Sequence, residues 1–245
     1  MPYAEDEFPK KRRSASADAA FLAEMERVSR MTVRERIEAA CSMREQFGDL
    51  LETISSHGRA ANMSKSESIL RTAERVASIL AGRDVPAVVI GAMALAAHGY
   101  IRFTKDIDLA VLADVPTMRS IADTLRTEGF AVEFHPPDAD DPLGGVMDVS
   151  GPFGLIQIVS FADRFPAVIR DSLAAENTAS DSGSGLRVAP IAQLVALKLY
   201  AGGTRSHADI VELLRRNPDA DLEQIRETCR RYRLKGLDRL LDELD

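Results

Sequence analysis

The sequence predicts an α/β (α+β) protein, a mixed-sheet core flanked by N-terminal and C-terminal helices. Three observations predict it. Apolar residues recur at helical spacing up to about residue 83, short β-branched runs alternate with helices from residue 85, and helical spacing returns after about residue 162. The chain has 245 residues, 45% hydrophobic and 28% charged, which is ordinary globular usage and enough length to bury a core.

Residues 1–18 are small, polar and charged and read as a mobile tail; its basic cluster at 10–13 is a solvated run or a point of nucleic-acid contact. Residues 19–83 form an N-terminal helical region. Phe21, Leu22, Met25 and Val28 mark a first helix, and Thr32 caps a second that carries Ile37, Ala40, Cys41, Phe47, Leu50 and Leu51. A polar loop over 55–64 leads to a third helix with Ile69, Leu70, Ala73, Val76 and Leu80 on one stripe, stopped by Gly82.

Residues 84–185 are the α/β core. A strand over 86–90 ends at Gly91, a helix covers 92–98, and a second strand covers 106–112. A helix over 117–128, a strand over 130–135 and a Pro/Gly-rich acidic loop over 136–145 follow. Strands over 146–150 and 155–161 are joined by Gly151-Pro-Phe-Gly154, a hairpin signal. Residues 186–245 are a C-terminal helical region. It opens with an apolar helix that Pro190 starts and Gly202-Gly203 ends, and continues with helices carrying Ile210, Leu213 and Leu214, then Leu222 and Ile225, then Leu237, Leu240 and Leu241.

Charge and composition exclude several classes. With 31 Lys and Arg against 38 Asp and Glu the net charge is −7, which argues against a dedicated nucleic-acid binder. The basic run Arg226, Arg230, Arg231 and Arg233 is a solvated helix face or a local basic patch that leaves a tRNA acceptor open. Cys41 and Cys229 are far apart and the four histidines lack metal-ligand spacing with them, so neither a disulfide framework nor a zinc site is expected. No secretory signal opens the chain, and the longest apolar stretch, 86–97, is too short to span a bilayer. The expectation is a cytoplasmic protein without a membrane partner.

Chemistry concentrates between residues 88 and 111. Side chains two apart on a strand share a face, so Asp106 and Asp108 project together, and two adjacent carboxylates suit a hard divalent cation. A surface strand carries alternate acids as well. Gly91, at a strand-to-helix junction, either exposes amide groups that favour a phosphate or merely permits a tight turn. Lys198 interrupts an apolar helix, where an ammonium needs an anion or a route to water. Asp209 is either its ion-pair partner or a cap or structural acid.

Gly91-Ala92, Arg102, Thr104, Asp106 and Asp108, followed by the helix holding Lys198 and the helix holding Asp209, resemble the DNA polymerase β-like nucleotidyltransferases. Within these, the chain is similar to small bacterial proteins related to the abortive-infection AbiEii toxins. The resemblance covers roughly 84–217 and implies a minimal nucleotidyltransferase core. It further implies transfer of a nucleoside monophosphate from a nucleoside triphosphate (NTP) to an acceptor, with one or two Mg²⁺ ions held by Asp106 and Asp108. Gly91 and Ala92 would contact the triphosphate, Arg102 or Lys198 would face the phosphates, and Thr104 and Asp209 would belong to the nucleotide-binding set. The acceptor is unidentified: a small molecule, tRNA or a protein. A toxin-like role with an antitoxin-like partner protein also follows from the resemblance.

The pattern breaks at the third carboxylate, where Gln157 stands and can neither take a proton nor bind Mg²⁺ well. Ala92, Ala192-Gln193 and His207 also depart from the family's usual residues. A hairpin at 151–154 sets Asp148 opposite Gln157, so Asp148 either supplies the missing metal-binding and catalytic carboxylate or is a polar residue on a solvated face. Three functions follow: an active transferase, a catalytically impaired nucleotide-binding regulatory or scaffold protein, and an interaction module without nucleotide.

Overall fold

Ser14 sets the start of the first helix, its hydroxyl accepting from the Ala17 amide, so that α1 (Ala15–Ser29) begins inside the stretch expected to be tail. The computed structural model describes residues 14–52, 59–137, 144–175 and 186–244, with side chains described outside 44–52 and 59–68. The basic cluster at 10–13 and the side chains of Phe47, Leu50 and Leu51 therefore lie outside the described residues. Thr32 and Glu35 cap α2 (Val33–Glu52) reciprocally, the Glu35 amide donating to the Thr32 hydroxyl and the Thr32 amide to the Glu35 carboxylate. α3 (Arg59–Ala81) starts earlier than the loop expected over 55–64 allows. The segment 59–68 is polar yet rich in Ala, Arg, Met, Lys and Glu, which favour helix without an apolar stripe.

Strand β1 is only Val88–Val89, shorter than expected over 86–90. α4 (Gly91–Ala97), β2 (Asp106–Val111), α5 (Val115–Thr127), β3 (Ala131–His135), β4 (Val146–Gly151) and β5 (Gly154–Ser160) follow. The sheet order is β1-β2-β5-β4-β3, with β2 and β5 parallel and the other pairs antiparallel. The expected mixed sheet is thus present. β1 also bridges Val188, the Val89 amide donating to Arg187 and the Ala189 amide to Val89. Asp114 caps α5 through the Thr117 amide at 2.9 Å.

Four helices complete the principal C-terminal elements: α7 (Ile191–Ala201), α8 (Gly203–Arg215), α9 (Leu222–Arg231) and α10 (Leu237–Leu241), preceded by α6 (Pro166–Ala174). Pro190 is the N-cap of α7, and Gly202, at φ +67°, both ends α7 and opens α8. Among the described residues no helix is long and apolar enough to cross a membrane.

The pleat sorts the sheet into two faces. Ile107, Leu109, Met147, Val149, Ile156 and Ile158 are all buried and join one core cluster with Leu70, Leu80, Ile121 and Leu125 from α3 and α5. On the opposite face the register sets Asp108 beside Gln157, Gln157 beside Asp148, and Asp148 beside Glu133. That face carries the polar residues, and α4 packs against β2.

Candidate functional site

Local sequence places two acids on one strand face. Asp106 and Asp108 are both partly buried, alternating with the buried Ile107 and Leu109. The Thr104 hydroxyl donates to Asp106 Oδ1 at 2.7 Å, which fixes that carboxylate's orientation. Asp108 lies against Gly91: the Ile90 amide donates to the Asp108 carbonyl at 3.0 Å, and any Cβ at Gly91 would collide with the Asp108 carboxylate. Gly91 also has φ +63°, a conformation that glycine adopts without steric cost. Burial, followed by repulsion from Asp106, pushes the Asp108 carboxyl up to about 7, while the positive charges of Lys198 and Arg102 oppose the rise.

Those two cations converge on Asp209, which is 2% exposed. Lys198 Nζ donates to Asp209 Oδ2 at 2.7 Å, and Arg102 donates to the same oxygen at 3.0 Å while its Nε lies 2.9 Å from Oδ1. A second Arg102 nitrogen donates to the Phe103 carbonyl at 3.1 Å. The ion-pair alternative for Lys198 and Asp209 is the one the structure forms, and Arg102, from the loop ahead of β2, joins it.

Gln157 stands between the acids. It neighbours Asp108 on β5 and its amide donates to Asp148 Oδ1 at 2.8 Å. The expected register is present, Asp148 directly opposite Gln157, around a loop in which Gly151 pairs with Gly154. Asp148 is two strands from Asp108, roughly 10 Å between backbones at ordinary strand spacing. Among the described residues no three His, Cys, Asp or Glu side chains gather as a metal cluster. The structure brings together Asp106, Asp108, Gly91 and Thr104, and separately Arg102, Lys198 and Asp209; it does not gather Asp148 with the acid pair. Ala92 is buried in the first turn of α4, so only its backbone is available to a ligand.

The sequence reading omits His135, whose Nε2 is 3.8 Å from Asp148 Oδ2 and from Glu133 Oε1. Alternation along β3 puts His135 and Glu133 on one face, and that signal could have found them. A cavity of about 600 Å³ bordered by α1 and α8 and another of about 490 Å³ bordered by α4, α7 and α9 lie away from the acids.

No protein-family model matches the chain, and no curated protein matches it in sequence. Solved structures do. The solution structure of the antibiotic-resistance factor ANT(2'')-Ia is 14% identical at a TM-score of 0.44, over 68% of this chain and 92% of that one. A crystal structure of an antigenic nucleotidyltransferase-like protein from Paracoccidioides brasiliensis gives the same identity and TM-score, over 68% and 88%. A cytoplasmic RNA terminal U-transferase is 17% identical at a TM-score of 0.35, over 62% of this chain and 46% of that one. All three likenesses are distant, and the chemistry of this chain has to be read from its own side chains.

Proposed function

We propose that this protein is a Mg²⁺-dependent nucleotidyltransferase that moves a nucleoside monophosphate from an NTP to an acceptor, be it a small molecule, tRNA or a protein. One observation carries the reading: Asp106 and Asp108 stand side by side on β2, with the partly buried Asp108 packed against the glycine that starts α4. Two carboxylates held against their mutual repulsion are a costly arrangement unless a cation relieves it. An all-oxygen pair also fits Mg²⁺, which keeps several waters and completes its shell with substrate phosphates rather than with a protein cage. The fit therefore needs no third protein acid.

Bound there, Mg²⁺ supplies Lewis-acid withdrawal of charge from the reacting phosphate. Every other role belongs to the chain. Thr104 orients Asp106, Gly91 leaves space for Asp108, and Lys198 holds a positive charge close enough to act on Asp108. The backbone at Gly91 and Ala92 would meet the triphosphate. In the reaction an acceptor oxygen bonds to the α-phosphorus, the bond to the bridging oxygen breaks, and pyrophosphate leaves with the electron pair. The acceptor's proton passes to solvent.

A second reading is favoured by one residue. Gln157 occupies the place beside Asp108 and ties up Asp148, which suits a nucleotide-binding regulatory protein without turnover. Incubation with labelled NTPs and Mg²⁺ separates the two. Pyrophosphate release that disappears in Asp106→Asn and Asp108→Asn supports transfer; saturable binding without release supports the regulatory reading. Absence of both binding and release sinks each of them.

A further inference from the structure

Half-buried arginines in this protein pair with acids, with one exception. Among the described residues Arg34, Arg102, Arg215, Arg216 and Arg226 each form an ion pair with a carboxylate. Arg36, in the first turn of α2, pairs with none. Its Nε donates to the Val28 and Met31 carbonyls at 3.2 and 3.1 Å, and one terminal nitrogen donates to the Ala97 carbonyl at 3.0 Å. Those oxygens lie at the ends of α1 and α4, and they solvate the guanidinium without neutralising it. Three of its five N–H groups meet no described residue. Burial pulls the guanidinium below its ordinary pKa, and no carboxylate lifts it back.

Arg36 lines the cavity of about 490 Å³, a volume within the range of small-molecule sites. Gly91 touches Asp108 at one end of α4, whereas Ala97 and His98 line the cavity at the other end, roughly 10 Å along the helix. The start of α7, from Pro190 to Gln193, lines it as well. Pro190 supplies no side-chain cap, and the amides of a first helical turn have no partner inside the helix. The remaining titratable groups leave the charge of Arg36 unmatched. The His98 ring bonds the Ala189 carbonyl at 2.8 Å, and burial pushes it toward the neutral form. Asp221 is exposed and caps α9, accepting from the Gln224 amide at 2.9 Å.

We propose that this cavity binds a small organic anion, its carboxylate or phosphate group held by Arg36 and the first-turn amides of α7, and its apolar body lying on Val33, Ile191 and Ile225. A charged donor set beside an apolar wall suits a ligand with one anionic head rather than a polyphosphate. The site stands apart from the proposed transferase site, since neither Asp106 nor Asp108 lines it.

The test is isothermal titration calorimetry on the full chain with benzoate, phenyl phosphate and the uncharged benzyl alcohol, and ¹⁵N amide shifts locate the binding. At least one anion is expected to bind saturably and to shift the Ile191, Ala192 and Gln193 amides, with benzyl alcohol at least about tenfold weaker. Tighter benzoate identifies a carboxylate head group, tighter phenyl phosphate a phosphate, and equal affinities mean that either serves. R36Q, checked for folding by circular dichroism, is expected to weaken anion binding at least about tenfold. Should R36Q not fold, I191W keeps Arg36 but fills the cavity, and it is expected to abolish binding. Binding of neither anion, benzyl alcohol as tight as the anions, unchanged affinity in the variant that folds, or shifts centred on Gly91 and Ala92 would each overturn the proposal.

Discussion

The Asp108 carboxyl is pushed above the ordinary carboxylate range for two physical reasons, burial first and the Asp106 charge second. Its carboxyl is raised to about 7 in the folded chain from an ordinary value of 3.8. The folded state therefore holds more protons than the unfolded state between those values, and stability declines as pH rises through the window. Melting temperature without Mg²⁺ is expected to fall from about pH 5 to about pH 8 on this account, and Asp108→Asn flattens the decline. The proposed Mg²⁺ would bind the ionised form, so its stabilising effect is expected to grow over the same range; a Mg²⁺ effect that shrinks with rising pH contradicts the proposal. The acid pair was legible because strand alternation is a local rule. Arg102 and Asp209 are 107 positions apart, and no spacing in the sequence announces that they meet. Lys198 was half legible, since a cation in an apolar helix demands a partner without saying which. Asp148 was placed correctly across from Gln157, but strand spacing keeps it from joining the acids two strands away.

Elements were legible where a residue forces the backbone. Gly151 and Gly154 fix the hairpin and hence the register of β4 on β5, and Gly202-Gly203 separates α7 from α8. Gly202 combines φ +67° with ψ −171°, a region almost closed to residues with a Cβ. Nothing lies within 4 Å of a Cβ built there, so Gly202→Ala meets backbone strain without a clash. The expected loss is about 1–3 kcal/mol in urea denaturation, and a loss below a few tenths would show that the turn relaxes freely. The start of α3 was illegible because polar helix formers look like a loop when apolar periodicity is the guide. The two-residue β1 came out shorter than its apolar run, since apolar character persists into α4 while ladder pairing stops at Gly91.

At the scale of the whole molecule, one buried cluster runs from Ile37 on α2 through the sheet to Leu241 on α10. Helices on both sides of the sheet in sequence thus share a single interior with it. Leu70 on α3 is fully buried in that interior, and Leu70→Ala is expected to cost about 2–5 kcal/mol. Unfolding should remain one cooperative transition by both far-UV circular dichroism and Tyr fluorescence; separate midpoints would divide the helices from the sheet. The α/β class was legible from alternation alone, but the pairing of β2 with β5 was not, because strands distant in the chain announce no partner. That pairing and the meeting of Arg102 with α7 and α8 have a consequence for how the protein comes into being. Gly91, Asp106 and Asp108 are translated first and can approach one another early, within β1, α4 and β2. The strand beside them and the carboxylate that answers Arg102 emerge later and must close long loops to arrive. A half-made chain therefore carries the acids without their setting, which is complete only once β5, α7 and α8 are in place.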